Sequence, residues 1–298
     1  MSPDLRRDPV SGRIVAVSPA RGRRPGATRT TVEPPTAAEL ESCPFCEGRE
    51  DRTPPETFAI ATENREPDTP DWLVRVVPNL YPAFERQEVV VSVPSHARSL
   101  AELSDEELAL VAQAWRARAD AARADGFSYV HALLNEGREA GASLPHSHTQ
   151  LVWLREPPEL LEHERTSAGD CGVCELLGRT DLVVDEAEGL VALAHPAGRL
   201  PYKVLIAPVA HEHDGFESPR LAAGLTLLAA TIRRLHTLVG PAPLNAWLHT
   251  APFEASDGHW HIELVPRLSV LAGVELGAGI YVNSVPAEDA ADALREVS

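Results

Sequence analysis

The sequence predicts an α+β protein built twice over from one unit of roughly 120–150 residues. Three observations carry that reading. A Cys-x-x-Cys pair occurs twice, as Cys43/Cys46 in "CPFC" and Cys171/Cys174 in "CGVC". Each pair is followed by a strand-like run ending in histidine, then by a helical pattern, then by another strand-like run. Each unit then closes on His-x-His, at His146/His148 and at His259/His261. The halves divide at 1–160 and 161–298.

In the first half, "QEVVVSVPSH" is β-branched and apolar and ends at His96. "SDEELALVAQAWRARADAAR" follows as a helix: Ser104 and Glu107 form a capping box, and Leu108, Val111, Ala112 and Trp115 recur on one face. "FSYVHALL" returns as a strand toward the first His-x-His. In the second half, "YKVLIAPVAH" ends at His211 and "SPRLAAGLTLLAATIRRLHTLVG" reads as the matching helix. Ser218 is expected as its cap, Pro219 in its first turn and Gly240 at its end. "LNAWLH" and "HWHIELVP" complete the unit.

The bulk composition narrows the function. The 298 residues are 44% hydrophobic and 24% charged, as in ordinary soluble proteins. The formal net charge of −17 opposes a nucleic-acid polymer as partner, because a phosphate backbone needs a broad basic surface. No apolar run of about 18 residues predicts a membrane span. The arginine-rich start lacks a signal-peptide core, so a cytoplasmic location is expected. Within this acidic chain, "LRRDPVSGRIVAVSPARGRRPGATR" carries seven arginines. Such a cluster suits a small phosphate-bearing ligand, or else is a solvated arm.

In a reducing compartment, repeated Cys-x-x-Cys reads as metal binding before disulfide. A redox dithiol would need a thioredoxin-like strand-to-helix context, which neither pair shows. The spacing proposes Cys43, Cys46, His96 and His146 as one set and Cys171, Cys174, His211 and His259 as the other, with His213 able to replace His211. Two thiolates with two imidazoles select zinc in a closed structural site. Two structural zinc ions are therefore expected.

"GASLPHSHTQL" then poses a chemical question. On an extended chain His146, His148 and Gln150 share one face, and Ser147 and Thr149 the other. With His146 given to zinc, His148 is free to react. The preceding "NEGREAGAS" bears Asn135 and Ser143 in a glycine-containing loop able to present N–H groups to an anion. Loop, arginines and histidine together suggest attack on phosphorus through a phosphoramidate.

"NEGREAGASLPHSHTQL", together with "CPFC", "VPNLYPAF" and the duplicated half, resembles the galactose-1-phosphate uridylyltransferase branch of the histidine-triad superfamily. The resemblance runs over nearly the whole chain and implies two tandem histidine-triad-like units, each an antiparallel sheet with a long helix. It implies His148 as carrier of the nucleotidyl group and Gln150 as hydrogen-bond donor to the intermediate. By the same resemblance, Asn135 and Ser143 hold phosphate oxygens, Arg21 and Arg24 meet substrate phosphates, Phe45 sits near the base and Asn79 near the ribose. A histidine stands at the Gln150 position in the hydrolase branches. An imidazole trades protons with water and an amide does not, so the motif favours transfer over hydrolysis.

The implied substrates are a nucleoside-diphosphate sugar and a sugar 1-phosphate, foremost UDP-glucose with galactose 1-phosphate, in a homodimer. Ser147, where many relatives carry proline, is shared with phosphorylases of ADP-glucose. ADP-glucose or dinucleotide phosphorolysis is thus the alternative, and a zinc-stabilised nucleotide-binding protein the non-enzymatic one. Some members bind a second metal through residues matching Glu164, His249, His259 and His261. His259 is claimed by both sets, and thiolates outcompete carboxylates for zinc, so the cysteine set is expected.

Overall fold

The computed structural model describes residues 4–23, 32–161, 164 and 171–297; Arg24 lies outside them. Ten strands form one antiparallel sheet: β3 (Phe58–Ala61), β4 (Trp72–Pro78), β5 (Arg86–Val91), β6 (Tyr129–Glu136), β7 (His148–Leu154), β8 (Val183–Ala187), β9 (Leu190–Ala194), β10 (Val204–Pro208), β11 (Leu244–His249) and β12 (His261–Pro266). Their order is β3-β4-β5-β7-β6-β11-β12-β10-β9-β8. Exchanging each first-half strand for its counterpart reverses this order onto itself, so the duplication is a pseudo-twofold about the β6–β11 seam. Residues 4–17 depart from that arrangement. Strands β1 (Asp4–Arg7) and β2 (Ile14–Val17) form a small sheet in which β2 runs parallel to β13 (Ile280–Asn283).

One face of the large sheet carries the two long helices, Asp105–Ala124 and Leu221–Val239, which pack on it and on each other. Leu108, Val111, Ala112 and Trp115 are buried there with Val130, Leu134 and Leu151 from the first half and Ala246, Ile262 and Leu264 from the second. Truncating such a side chain to alanine typically costs about 2–5 kcal/mol. Ser104 and Glu107 make the expected capping box. The second helix starts later than expected, at Leu221. The Ser218 hydroxyl is engaged elsewhere, donating to Glu212 at 2.6 Å and accepting from the Arg220 N–H at 3.1 Å, so residues 218–220 form a turn ahead of the helix.

The alternation of β6, β7, β11 and β12 sends chemistry to the other face. Gln150 pairs in register with Leu133, Asn135 with Asn245, and His249 with His261. Paired residues point the same way across a sheet. Asn135, Gln150, Asn245, Trp247, His261 and Glu263 therefore share the face away from the helices. Strand β7 begins at His148, and His146 precedes it. That irregular entry lets the His146 ring turn toward the cysteines.

Candidate active site and metal centres

Both predicted metal sets assemble. In the first, Cys43 Sγ lies 3.4 Å from His146 Nδ1, and Cys46 Sγ lies 3.3 Å from His96 Nδ1 and 3.7 Å from His146 Nδ1. In the second, Cys171 Sγ stands 3.5 Å from His259 Nδ1, and Cys174 Sγ 3.4 Å from both His211 Nδ1 and His259 Nδ1. Sulfur and nitrogen bound tetrahedrally to zinc at about 2.3 and 2.05 Å stand roughly 3.5 Å apart, so the spacing fits that ion. The outer nitrogens fit as well. His146 Nε2 lies 2.9 Å from the Val93 carbonyl and His259 Nε2 2.9 Å from the Pro208 carbonyl. A carbonyl only accepts, so each Nε2 carries the proton and each Nδ1 lone pair faces the thiols. His211, not His213, takes the last position.

His259 groups with Cys171, Cys174 and His211, the set expected from the sequence, and lies outside the competing set. Glu164, His249 and His261 form a group of their own, with ligand atoms within 4.8 Å of one another, beside a cavity of about 230 Å³. His249 Nδ1 lies 2.9 Å from Glu164.

His148 is the chemically free histidine. Its Nδ1 donates to the His146 carbonyl at 2.7 Å, which leaves Nε2 unprotonated, and burial lowers the pKa of the ring. The Phe45 ring stands edge-on at 5.3 Å, walling one side. On the helix side, Trp115 Nε1 donates to Thr149 Oγ1 at 2.8 Å and holds β7 down beside the histidine. Gln150 accepts at Oε1 from Gln87 at 2.8 Å and from Asn79 at 3.5 Å. Asn135 accepts from Asn245 Nδ2 at 2.7 Å.

The Gly137–Gly141 turn follows Asn135. Gly137 has a φ of 81°, and a Cβ there would lie 2.9 Å from Pro243 of the second half, so only glycine fits. Ser143 is exposed and opens on a cavity of about 1030 Å³ shared with Arg98 and Arg138. Arg21 is exposed on the turn Pro19–Arg23, where Gly22 packs near Ser284. Among the described residues no hydrogen bond or ion pair ties Arg21 to the His148 pocket.

The counterpart positions in the second half have changed. His261 Nδ1 donates to the His259 carbonyl at 3.0 Å, repeating the His148–His146 bond. His249 stands where Asn135 stands, and Glu263 where Gln150 stands. Glu263 is closed off: Lys203 Nζ lies 2.5 Å away and Arg199 3.7 Å. Burial raises a carboxyl, but Lys203, His249 and Arg199 prevail and hold Glu263 well below the usual carboxylate range.

A duplicated histidine-triad-like sheet with one free His-x-His histidine defines a class of nucleotidyl-transferring enzymes, and comparisons with known proteins agree. A profile of the galactose-1-phosphate uridyl transferase N-terminal domain matches residues 81–156. An ADP-glucose phosphorylase from Arabidopsis thaliana is 31% identical over all of this chain and 93% of its own length. A galactose-1-phosphate uridylyltransferase from Thermotoga maritima is 29% identical, with 98% of each covered. The crystal structure of an Arabidopsis thaliana ADP-glucose phosphorylase with bound ADP-glucose superposes with a TM-score of 0.87 at 30% identity, covering 100% of this chain and 99% of that one. The chain belongs to the galactose-1-phosphate uridylyltransferase family and is an enzyme of the nucleotidyltransferase class.

Gln87, Asn245 and Lys203 were not among the site residues expected from the sequence. Gln87 and Asn245 read as ordinary strand residues, and only Lys203, the one lysine in the chain, carried a visible signal.

Proposed function

We propose that this enzyme transfers an adenylyl group from ADP-glucose to inorganic phosphate by double displacement at His148. The His148 Nε2 lone pair attacks the α-phosphorus. A P–N bond forms, the P–O bond to the sugar phosphate breaks, and glucose 1-phosphate leaves. A phosphate oxygen then attacks the same phosphorus, the P–N bond breaks, ADP forms and neutral His148 returns. The observation that carries this reading is the His148 Nδ1 bond to the His146 carbonyl, which fixes the tautomer with Nε2 as nucleophile.

Gln150, Asn135 and Ser143 are assigned to phosphoryl oxygens, Phe45 and Asn79 to the nucleoside, and Arg21 and Arg24 to the outgoing sugar phosphate. Zinc in each Cys2His2 set supplies structure: it would tie Cys43 and Cys46 to the strand entry at His146, one residue from Ser147 and two from the nucleophile. A cytoplasmic homodimer is the working form. Among the described residues no helix is long and apolar enough to cross a membrane.

ADP-glucose takes first place as donor because the ADP-glucose phosphorylase relative is 31% identical over the whole chain and a solved ADP-glucose phosphorylase with bound ADP-glucose superposes with a TM-score of 0.87. The second reading is UDP-glucose with galactose 1-phosphate, favoured by the uridyl transferase profile and the Thermotoga maritima relative. Purified enzyme given ADP-glucose should release glucose 1-phosphate only when phosphate is supplied. Release that requires UDP-glucose and galactose 1-phosphate instead would select the second reading.

A further inference from the structure

The two amides of the pocket have their orientation imposed from outside it. A glutamine or asparagine side chain shows a ligand either an acceptor or a pair of donors, and turning it over exchanges the two. Gln150 has its oxygen committed to Gln87 Nε2 at 2.8 Å. Gln87 is itself fixed, because its Oε1 accepts from the Ala83 backbone N–H at 3.0 Å. A second chain of the same design reaches Asn135. Arg267 Nη1 donates to Asn245 Oδ1 at 3.2 Å, and Asn245 Nδ2 donates to Asn135 Oδ1 at 2.7 Å and to the Ala140 carbonyl at 2.8 Å.

Each chain begins at a group that can only donate, a backbone N–H in one and a guanidinium in the other. Each ends at an amide whose oxygen is already used, so its NH2 remains for the pocket. A phosphoryl oxygen offers only acceptor capacity, and a reversed amide would repel it. We infer that Gln87 and Asn245 are positioning residues that lock Gln150 and Asn135 as donors to the phosphoryl group at His148. This inference rests on the nucleotidyl transfer proposed above.

It also gives the second half a task in the first half's chemistry. Asn245 lies on β11 directly across the seam from Asn135, and the Arg267 N–H donates to the Pro243 carbonyl at 2.7 Å, behind Gly137. The loop that would receive phosphate is thus held by the other repeat.

The test is the rate of covalent nucleotidyl-enzyme formation at saturating ADP-glucose, measured by rapid quench in two double-mutant cycles. Gln87→Glu and Asn245→Asp keep size but remove the donor, inviting the inner amide to turn over. Each should slow the step about 100-fold, the order of one lost oxyanion donor. Gln87→Met and Asn245→Leu, which leave the inner amide free to choose, should cost about 10-fold or less. In Gln150→Ala the Gln87→Glu change should add nothing, and likewise Asn245→Asp in Asn135→Ala. Zinc content and melting temperature report folding for every variant. Equal losses in the Ala backgrounds would mean a simple charge or folding effect and would overturn the inference. If the wild type forms no adduct, the proposed reaction fails on its own. The same cycles read by calorimetric affinity for ADP then decide the amide relay, since its donors face phosphate with or without transfer.

Discussion

His148 Nδ1 donates to the backbone carbonyl of His146 at 2.7 Å, while His146 turns its own Nδ1 to Cys43 at 3.4 Å. Two histidines of one type, two residues apart, are thereby given different work. The first bond leaves the His148 Nε2 lone pair free, and the second contact turns the His146 Nδ1 lone pair to the thiols, where it could serve a metal ion.

The first prediction separates them. His148→Ala should abolish transfer while zinc content and melting temperature stay near wild type. His146→Ala should lose one equivalent of zinc and unfold at lower temperature, measured by atomic absorption and thermal melts. Zinc unchanged in His146→Ala would contradict the first metal set.

The second metal set should be separable from the chemistry. Cys174→Ser removes a ligand remote in sequence from His148, and it should lose one zinc equivalent while the first set keeps its own. A strong chelator should release both ions and destabilise the fold, because a structural site's binding free energy is folding free energy. Retention of both equivalents in Cys174→Ser would refute the Cys2His2 assignment.

The amide at position 150 should protect the intermediate from water. Gln150→His introduces a group that can exchange protons, and general-base assistance is worth about 10²–10⁴-fold. Hydrolysis of the nucleotidyl-enzyme in the absence of acceptor should rise in this variant, followed as decay of the adduct mass. A decay rate equal to wild type would remove the explanation for glutamine here.

Glu136 should write a pH dependence into stability. It is fully buried beside the glycine turn, and burial lifts its carboxyl from 4.5 to about 7, with nearby Glu102 adding to the rise. The Leu100 N–H and Ser99 hydroxyl donate to it and pull the other way without prevailing. Between about pH 4.5 and 7 the folded chain keeps a proton that the unfolded chain has released. Its contribution is therefore full below the lower value and lost as pH rises through the upper one. Denaturant titrations should show wild type losing up to about 3 kcal/mol relative to Glu136→Gln across that window.

Lys203 should matter through Glu263. Lys203→Met removes the ion pair at 2.5 Å and leaves the buried carboxylate with Arg199 at 3.7 Å and the neighbouring His249, and breaking such a pair typically costs about 3–5 kcal/mol. Lys203→Met with Glu263→Leu should recover most of that loss in the same denaturant titration.

The sequence made the duplication and both Cys2His2 clusters legible because their signals are local. Cys-x-x-Cys places two thiols together within a turn, and His-x-His needs only three residues. The helix Asp105–Ala124 was legible from its capping box and apolar stripe. The late start at Leu221 was hidden because the use of Ser218 by Glu212 is a tertiary event. The three-stranded sheet was hidden for a similar reason, since β2 pairs with β13 across more than 260 residues. Asn245 and Gln87 carried no signal. Their significance lies in which partner each amide faces, and that is settled only once β5 and β7, or β6 and β11, lie side by side.

The most direct test of the central claim is intact-protein mass after brief incubation with ADP-glucose or UDP-glucose, in separate tubes without acceptor. The account predicts an adenylyl mass on the wild type and none on His148→Ala. No adduct from either donor, or an adduct that survives in His148→Ala, would contradict it.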